Sequence, residues 1–315
     1  RRKTRITTKS LCSIIKIYEY LMIKVALFGQ KTSTSLVDII SPFLSYLDYN
    51  EISYCVEEKF LQILKESTEL NLDEVETYTS YENLDKSVKF LFSFGGDGTI
   101  LSATTIVRDS MIPIIGVNTG RLGFLATINK SVLLEQLNSF FNGEYNIIPR
   151  SLLTVKRSDG VEIENNFAIN EVTVVRRETT SMITVDTYLD YEFLNSFWSD
   201  GLIVSTPTGS TGYSLSCGGP IVHPSNQNFV ITPVAPHNLN VRPLVVSENA
   251  KIGLKIRSRA NEYFLSLDSR NFPLSTDVEL IIEKADFKIL IVEAIDATYF
   301  TTLREKMLWG SDKRN

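Results

Sequence analysis

Histidine is almost missing from this chain: His223 and His237 are the only two among 315 residues. So few leave no material for a Ser-His-Asp triad or a histidine-built metal site, and each is read as structural. Cysteine is scarce too. Cys12, Cys55 and Cys217 are odd in number, far apart and without a CxxC pair, which excludes a disulfide framework or a zinc site and suits a reducing cytoplasm. No apolar run reaches the roughly 18 residues of a transmembrane helix, so no membrane association is expected. An excess of basic charge is lacking as well. With 32 Lys and Arg against 37 Asp and Glu, the net charge of −5 excludes nonspecific attachment to nucleic acid or to an anionic membrane, since both need a basic face. An anionic ligand must then be held by local dipoles and a few charges.

What is present suits a soluble globular protein, with 43% hydrophobic and 22% charged residues. The length predicts two domains. Residues 1–21 are basic, with Arg1, Arg2, Lys3, Arg5, Lys9 and Lys16 against the single acid Glu19. They lack a small-residue cleavage signature and are read as a dispensable extension. The folded chain is expected to open near Met22.

Over residues 22–123, apolar runs (IKVALFG, ISYCV, KFLFSF, IPIIGVN) alternate with helical periodicity (SLVDIISPFLSYL, KFLQILKES). That alternation predicts an α/β domain with a parallel sheet. Pro42 falls inside the first helical pattern and blurs its ends. Over residues 124–293, one helix (SVLLEQLNSFF) is followed by short strand patterns from SLLTVKR to DFKILIVE, with turns expected at Ser158-Asp159-Gly160 and Ala285-Asp286. This predicts an all-β, sandwich-like domain. Residues 294–315 are expected to form a helical tail whose apolar face of Phe300, Leu303 and Met307 docks back on the body.

Two segments carry chemistry. In the first, the strand FLFSF runs into Gly95-Gly96-Asp97-Gly98-Thr99 and a helical pattern, with Thr99 placed to cap the helix. Glycines let the backbone approach a ligand, and helix N-terminal amides favour phosphate. The spacing fits neither a P-loop nor the GxGxxG fingerprint. Asp97 stands among the glycines at the carboxyl end of a strand, where open α/β sheets bind ligands. In the second, the strand LIVST follows Ser199-Asp200-Gly201 and enters a loop, Thr206-Pro207-Thr208-Gly209-Ser210-Thr211-Gly212-Tyr213-Ser214-Leu215-Ser216-Cys217-Gly218-Gly219-Pro220, dense in hydroxyls and glycines. Such a loop offers neutral donors with little bulk. Tyr213 can stack on a base or nicotinamide ring, and Asp200 can accept from an amide or amino group. Asn170-Glu171, inside the pattern FAINEVTVV, is a solvated polar pair on a plain reading, or a donor and acceptor set for a polyol.

The GGDGT turn, with a second glycine turn about twenty residues on (Gly116-Val-Asn-Thr-Gly120-Arg-Leu-Gly123-Phe124-Leu), resembles the NAD kinase family. The wider superfamily, which includes diacylglycerol and sphingosine kinases and 6-phosphofructokinase, shares the first turn only. Asn170-Glu171 and the Thr206–Pro220 loop are what resemble NAD kinases in particular. Gly212 stands where the family usually has alanine. Pro233-Val-Ala-Pro236-His237 with Arg242-Pro243-Leu244 resembles a family segment, and Leu267-Asp268-Ser269-Arg270 resembles its Asp-Gly/Ser-Gln turn, with Arg270 in place of glutamine.

The resemblance implies a Rossmann-like first domain, a β-sandwich second domain and a homodimer or homotetramer in the cytoplasm. The implied activity is transfer of the γ-phosphoryl group of ATP to the 2′-hydroxyl of the adenosine ribose of NAD, giving NADP. Asp97 would be the base. Gly95, Gly96, Gly98 and Thr99 would hold phosphates, with Gly98 also binding NAD. Phe124, Asn170, Glu171, Asp200, Thr211, Gly212, Tyr213 and Ser216 would hold NAD. Magnesium would be carried by ATP with no dedicated protein site. Two other readings compete: a lipid kinase of the diacylglycerol type, which shares GGDGT but not the long loop, and a nonenzymatic NAD or NADP sensor, which would not need Asp97.

Overall fold

The computed structural model describes residues 23–178 and 181–310. The basic extension 1–21 lies outside them. The chain divides into two compact units, one built from residues up to Ile148 together with those from Leu290 onward, the other from Pro149–Ile289.

The first unit is a parallel sheet with helices. Its strands are β1 (Lys24–Gly29), β2 (Ser53–Glu57), β3 (Glu76–Tyr78), β4 (Phe90–Gly95), β5 (Ile114–Asn118) and the short β6 (Ile128–Asn129). The order runs β5-β4-β1-β2-β3, with β6 and residues Ile291–Val292 both paired to β5, every pair parallel. Phe90, Phe92 and Phe94 share one face of β4 by its two-residue period and are fully buried. Phe43 meets Phe92 and Phe94 edge-on, with centroids 5.0 and 5.2 Å apart.

Phe43 belongs to helix α1 (Thr34–Tyr49), which Ser33 opens by accepting from the Leu36 amide at 3.1 Å. The helix runs straight through Pro42. Pro42 is exposed, while Leu36, Ile39, Ile40, Phe43, Leu44 and Leu47 are buried on the opposite face. Burial of those six side chains, about 1.5–3 kcal/mol each, outweighs the roughly 3 kcal/mol of an interior proline. Helices α2 (Glu58–Ser67) and α3 (Asp97–Val107) follow, then α4 (Leu133–Phe141). Leu133, Leu137, Phe140 and Phe141 of α4 sit in the same core as Phe43 and Phe92, and the Tyr46 hydroxyl donates to Asn138 at 2.6 Å. The boundary between units therefore falls after Ile148, not after Gly123 where the sequence rhythm changes.

The second unit is antiparallel. Its strands are β7 (Asn146–Arg157), β8 (Phe167–Ala168), β9 (Glu171–Arg176), β10 (Ile183–Leu189), β11 (Glu192–Ser199), β12 (Gly201–Ser205), β13 (Asn228–Val234), β14 (Leu244–Ser247), β15 (Ile252–Arg257), β16 (Glu262–Leu267), β17 (Arg270–Ser275) and β18 (Leu280–Glu293), whose last residues belong to the first unit. One sheet runs β11-β10-β15-β18 with the β7/β8 pair beside it, the other β14-β13-β12-β9-β16-β17. Val185, Leu254 and Ile282 from the first sheet and Val174, Leu202 and Ile231 from the second share one core, so this is the expected two-sheet architecture.

Two local expectations are corrected, and one hairpin is added. No turn interrupts β18 at Ala285-Asp286: the strand runs on through both residues, its buried positions shifting from Leu280 and Ile282 to Ala285 and Ile289, because neither residue supplies the glycine-like backbone of a hairpin. A real hairpin lies at Asp190-Tyr191, both in the left-handed region (φ 49° and 71°), and introduces β11. The short helix α5 (Tyr213–Ser216) lies in the second unit, and in the tail α6 (Tyr299–Met307) buries only Leu303, with Phe300 59% exposed.

Candidate active site

The GGDGT turn leaves β4 and enters α3 where strand order reverses between β1 and β4, the topological position at which such sheets bind ligands. Gly96, not Thr99, is the N-cap, and it makes no side-chain cap bond. The Thr99 amide closes the first turn onto the Gly96 carbonyl at 3.0 Å, so its hydroxyl rather than its amide is left for a ligand.

Asp97, at the first turn of α3, is half-buried. Its Oδ2 accepts from the Phe124 amide at 2.8 Å, and its Oδ1 from Leu125 and Ala126 at 3.0 and 2.9 Å. Three of about four acceptor positions are thus used, leaving one on Oδ2. The second glycine turn is shaped around this carboxylate, since a Cβ on Gly123 would lie 1.9 Å from Asp97 Oδ1. Asn118, which the sequence reading passed over, secures the other end by accepting from the Gly120 amide at 2.7 Å and donating to the Arg121 carbonyl at 2.6 Å. Gly95, Gly96, Asp97, Gly98, Thr99 and Phe124 are therefore brought together. Lys306 of α6 also reaches this place, 5.9 Å from the centre of the Phe124 ring.

In the second unit the expected strand FAINEVTVV is broken at Ile169-Asn170. The cause is Asp268, at the β16–β17 turn with φ 54°, whose carboxylate accepts from the amides of Ile169, Asn170 and Glu171 at 3.1, 2.8 and 3.2 Å. Those amides turn to the carboxylate instead of a neighbouring strand. Glu171 is buried beside it. Burial, and then repulsion from Asp268, push the Glu171 carboxyl up to about 8, although it accepts from the Tyr213 amide. Burial likewise raises Asp268, opposed by its three amides and Arg270.

The Thr206–Pro220 loop packs against this turn. The Thr206 amide donates to the Asn170 carbonyl at 2.9 Å, and its hydroxyl to the Ile169 carbonyl at 2.5 Å. Ser210 donates to the Pro207 carbonyl and accepts from the Val222 amide, and Ser214 bonds Thr232 at 2.9 Å. These three hydroxyls are fully buried and consumed in shaping the loop, so it offers fewer donors than its composition suggested. Thr211 is half-buried and Ser216 exposed.

Tyr213 is 42% exposed. Burial, then the neighbouring Cys217, Asp200 and Glu171, raise its hydroxyl's pKa, so it stands within the field of both carboxylates. Asp200 itself precedes β12, a strand length from Ser205, which pairs with Glu171. It is gripped by Arg176 in a two-pronged ion pair, each contact 3.1 Å, a partner that no sequence pattern announced.

A family model for the ATP-NAD kinase N-terminal domain matches residues 25–145, and one for the C-terminal domain matches residues 169–294. The NAD kinase of Flavobacterium psychrophilum is 49% identical over 93% of this chain and 100% of its own length. That of Bacteroides fragilis is 36% identical over 92% and 99%.

The chain belongs to the NAD kinase family.

Among solved structures, an NAD kinase from Archaeoglobus fulgidus in complex with ATP is 26% identical, with a TM-score of 0.68 over 91% of this chain and 99% of that one. A yeast NADH kinase complexed with NADH shares the fold at 22% identity, with a TM-score of 0.80 over 92% and 88%. NAD kinase names at this identity over nearly the whole chain favour neither the lipid kinase nor the sensor reading. Among the described residues, no helix is long and apolar enough to cross a membrane.

Proposed function

We propose that the protein transfers the γ-phosphoryl group of ATP to the 2′-hydroxyl of the adenosine ribose of NAD, releasing ADP and NADP. The observation that carries this reading is the placing of Asp97. Its carboxylate is oriented by the Phe124, Leu125 and Ala126 amides, at the carboxyl edge of a parallel sheet and beside a helix N-terminus, with an acceptor position left for a hydroxyl. As the ribose oxygen attacks the γ-phosphorus and the bond to the β,γ-bridging oxygen breaks, Asp97 takes the hydroxyl proton. The amides and hydroxyl of Gly95, Gly96 and Thr99 hold phosphate oxygens. Gly98 and Phe124, with Asn170, Glu171, Asp200, Thr211, Gly212, Tyr213 and Ser216, hold the dinucleotide. ATP as donor is supported by the ATP complex of the Archaeoglobus relative.

The donor set fits a divalent cation that arrives with ATP. No group of three or more His, Cys, Asp or Glu side chains that could hold a metal exists among the described residues, and Asp97 is largely committed to amides. The ligands would be mainly phosphate oxygens, and magnesium when bound neutralises charge on the triphosphate. The protein works in the cytoplasm as a homodimer or homotetramer.

A coupled assay of NADP formation, run across phosphoryl donors and with NAD, NADH and a diacylglycerol as acceptors, tests the reading. NADP should form from ATP and NAD, with no transfer to the lipid. Tight NAD binding without NADP formation would overturn it.

A further inference from the structure

Glu171 is where three segments of the second unit meet. Its Oε2 is buried with no hydrogen-bond partner among the described residues. A methyl on Gly212 would lie 3.1 Å from that oxygen and 3.7 Å from Asn170 Nδ2, so glycine leaves a slot beside an unsatisfied acceptor. From the other side, Asp268, only 2% exposed, holds the amides of residues 169–171, and Arg270 Nη2 stands 3.9 Å from its Oδ2. The Arg270 guanidinium also donates to the carbonyls of Asn165, at 2.5 Å, and Phe167, and lies 5.4 Å from the centre of the Phe167 ring. Arg270 therefore grips the 165–171 segment by its carbonyls directly and by its amides through Asp268. The three amides and the Arg270 guanidinium together favour the ionised form of this buried carboxylate against the cost of its burial.

We propose that Arg270 is a positioning residue of the dinucleotide site, acting through Asp268 to fix the Asn170–Glu171 turn, and that Gly212 leaves Glu171 Oε2 open to hydroxyls of the nucleotide. The proposal rests on the NAD kinase reading. The groups facing Glu171 are Asp268 with Arg270 behind it, and Tyr213 and Cys217 across the loop. A ribose hydroxyl donates best to an ionised Glu171, so NAD affinity should rise with pH through about 8.

The test uses the full chain, with Arg270→Gln, Arg270→Lys, Gly212→Ala and Asp268→Asn. Thermal unfolding checks each fold, kinetics give kcat and both KM values, and calorimetry gives NAD affinity from pH 6 to 9. Arg270→Gln should weaken NAD binding about tenfold, the size of one charge-assisted hydrogen bond, and leave the KM for ATP within about twofold. Lysine should recover part of the loss, since it restores charge without the fork. Gly212→Ala should weaken NAD binding about threefold, and the double variant with Arg270→Gln should lose less than the product, because a released turn gives way to the methyl. Asp268→Asn should move the pH midpoint of NAD affinity down. If it does not fold, the Arg270 variants decide alone. Wild-type NAD affinity in Arg270→Gln, or equal losses for NAD and ATP, overturns the proposal. A wild type that binds NAD but forms no NADP defeats the kinase reading instead, and leaves the calorimetric comparison standing.

Discussion

At the scale of single residues, the same device occurs twice: a carboxylate that takes three consecutive backbone amides and so fixes the loop beside it. Asp97 does this to residues 124–126 and Asp268 to residues 169–171. Asp97→Asn therefore removes a base and also turns a side-chain NH2 toward an amide. Turnover should fall on the order of 10²- to 10⁴-fold, the range for a lost general base. Stability should fall by about 1–3 kcal/mol as the second glycine turn loses an acceptor, read as a modest drop in Tm. Near-full activity would remove Asp97 from the role. Glu171 supplies a pH prediction. Its carboxyl is raised in the fold from 4.5 to about 8, so the folded state holds a proton that the unfolded state releases. Stability is then full below about pH 4.5 and declines as pH rises toward 8. Between pH 6 and 9 the Tm of the ligand-free protein should fall, and Glu171→Gln should flatten that fall. An unchanged slope in the variant would show that Glu171 is already ionised at pH 6.

At the scale of elements, what was legible was whatever the local chain decides. The strand-turn-helix at Gly95–Thr99 is written in five buried residues before the glycines and an amphipathic run after them. The pieces that escaped depend on partners distant in sequence. Asn170-Glu171 has the alternation of a strand interior, and only Asp268, 98 residues from Asn170, explains why the ladder stops there. The Asp190-Tyr191 hairpin carries no glycine, so its two left-handed residues gave no composition signal. Of the hydroxyls in the Thr206–Pro220 loop, sequence cannot say which point inward. Proline misleads in the opposite direction, because Pro42 sits in an unbroken helix whose buried face overrides it. Pro42→Ala restores an amide to the Asp38 carbonyl and removes a ring clash on an exposed face. It should raise stability by about 1–3 kcal/mol, less about 0.4–1 kcal/mol for a more flexible unfolded chain. Urea unfolding with an unchanged midpoint would show that the helix has already relaxed around the ring.

At the scale of the whole molecule, the first unit is discontinuous in sequence, and this is what no reading of rhythm alone could place. The periodicity changes after Gly123, yet α4 still packs on Phe90 and Phe92, and the unit is completed only by residues that return after Leu290. Ile291 and Val292 pair with β5 and are fully buried, and Leu303 is buried behind them in chain order. At about 1.5–3 kcal/mol for each side chain, these three contribute roughly 5–9 kcal/mol, comparable with the whole stability of about 5–15 kcal/mol of a typical domain. A fragment of residues 23–148 should therefore lack a cooperative thermal transition and expose apolar surface to a dye. The same fragment joined through a flexible linker to residues 290–310 should regain the transition. Circular dichroism melts of the two would decide it, and a sharp, equally stable transition in the shorter fragment would mean that the returning strand and α6 decorate the sheet without holding it.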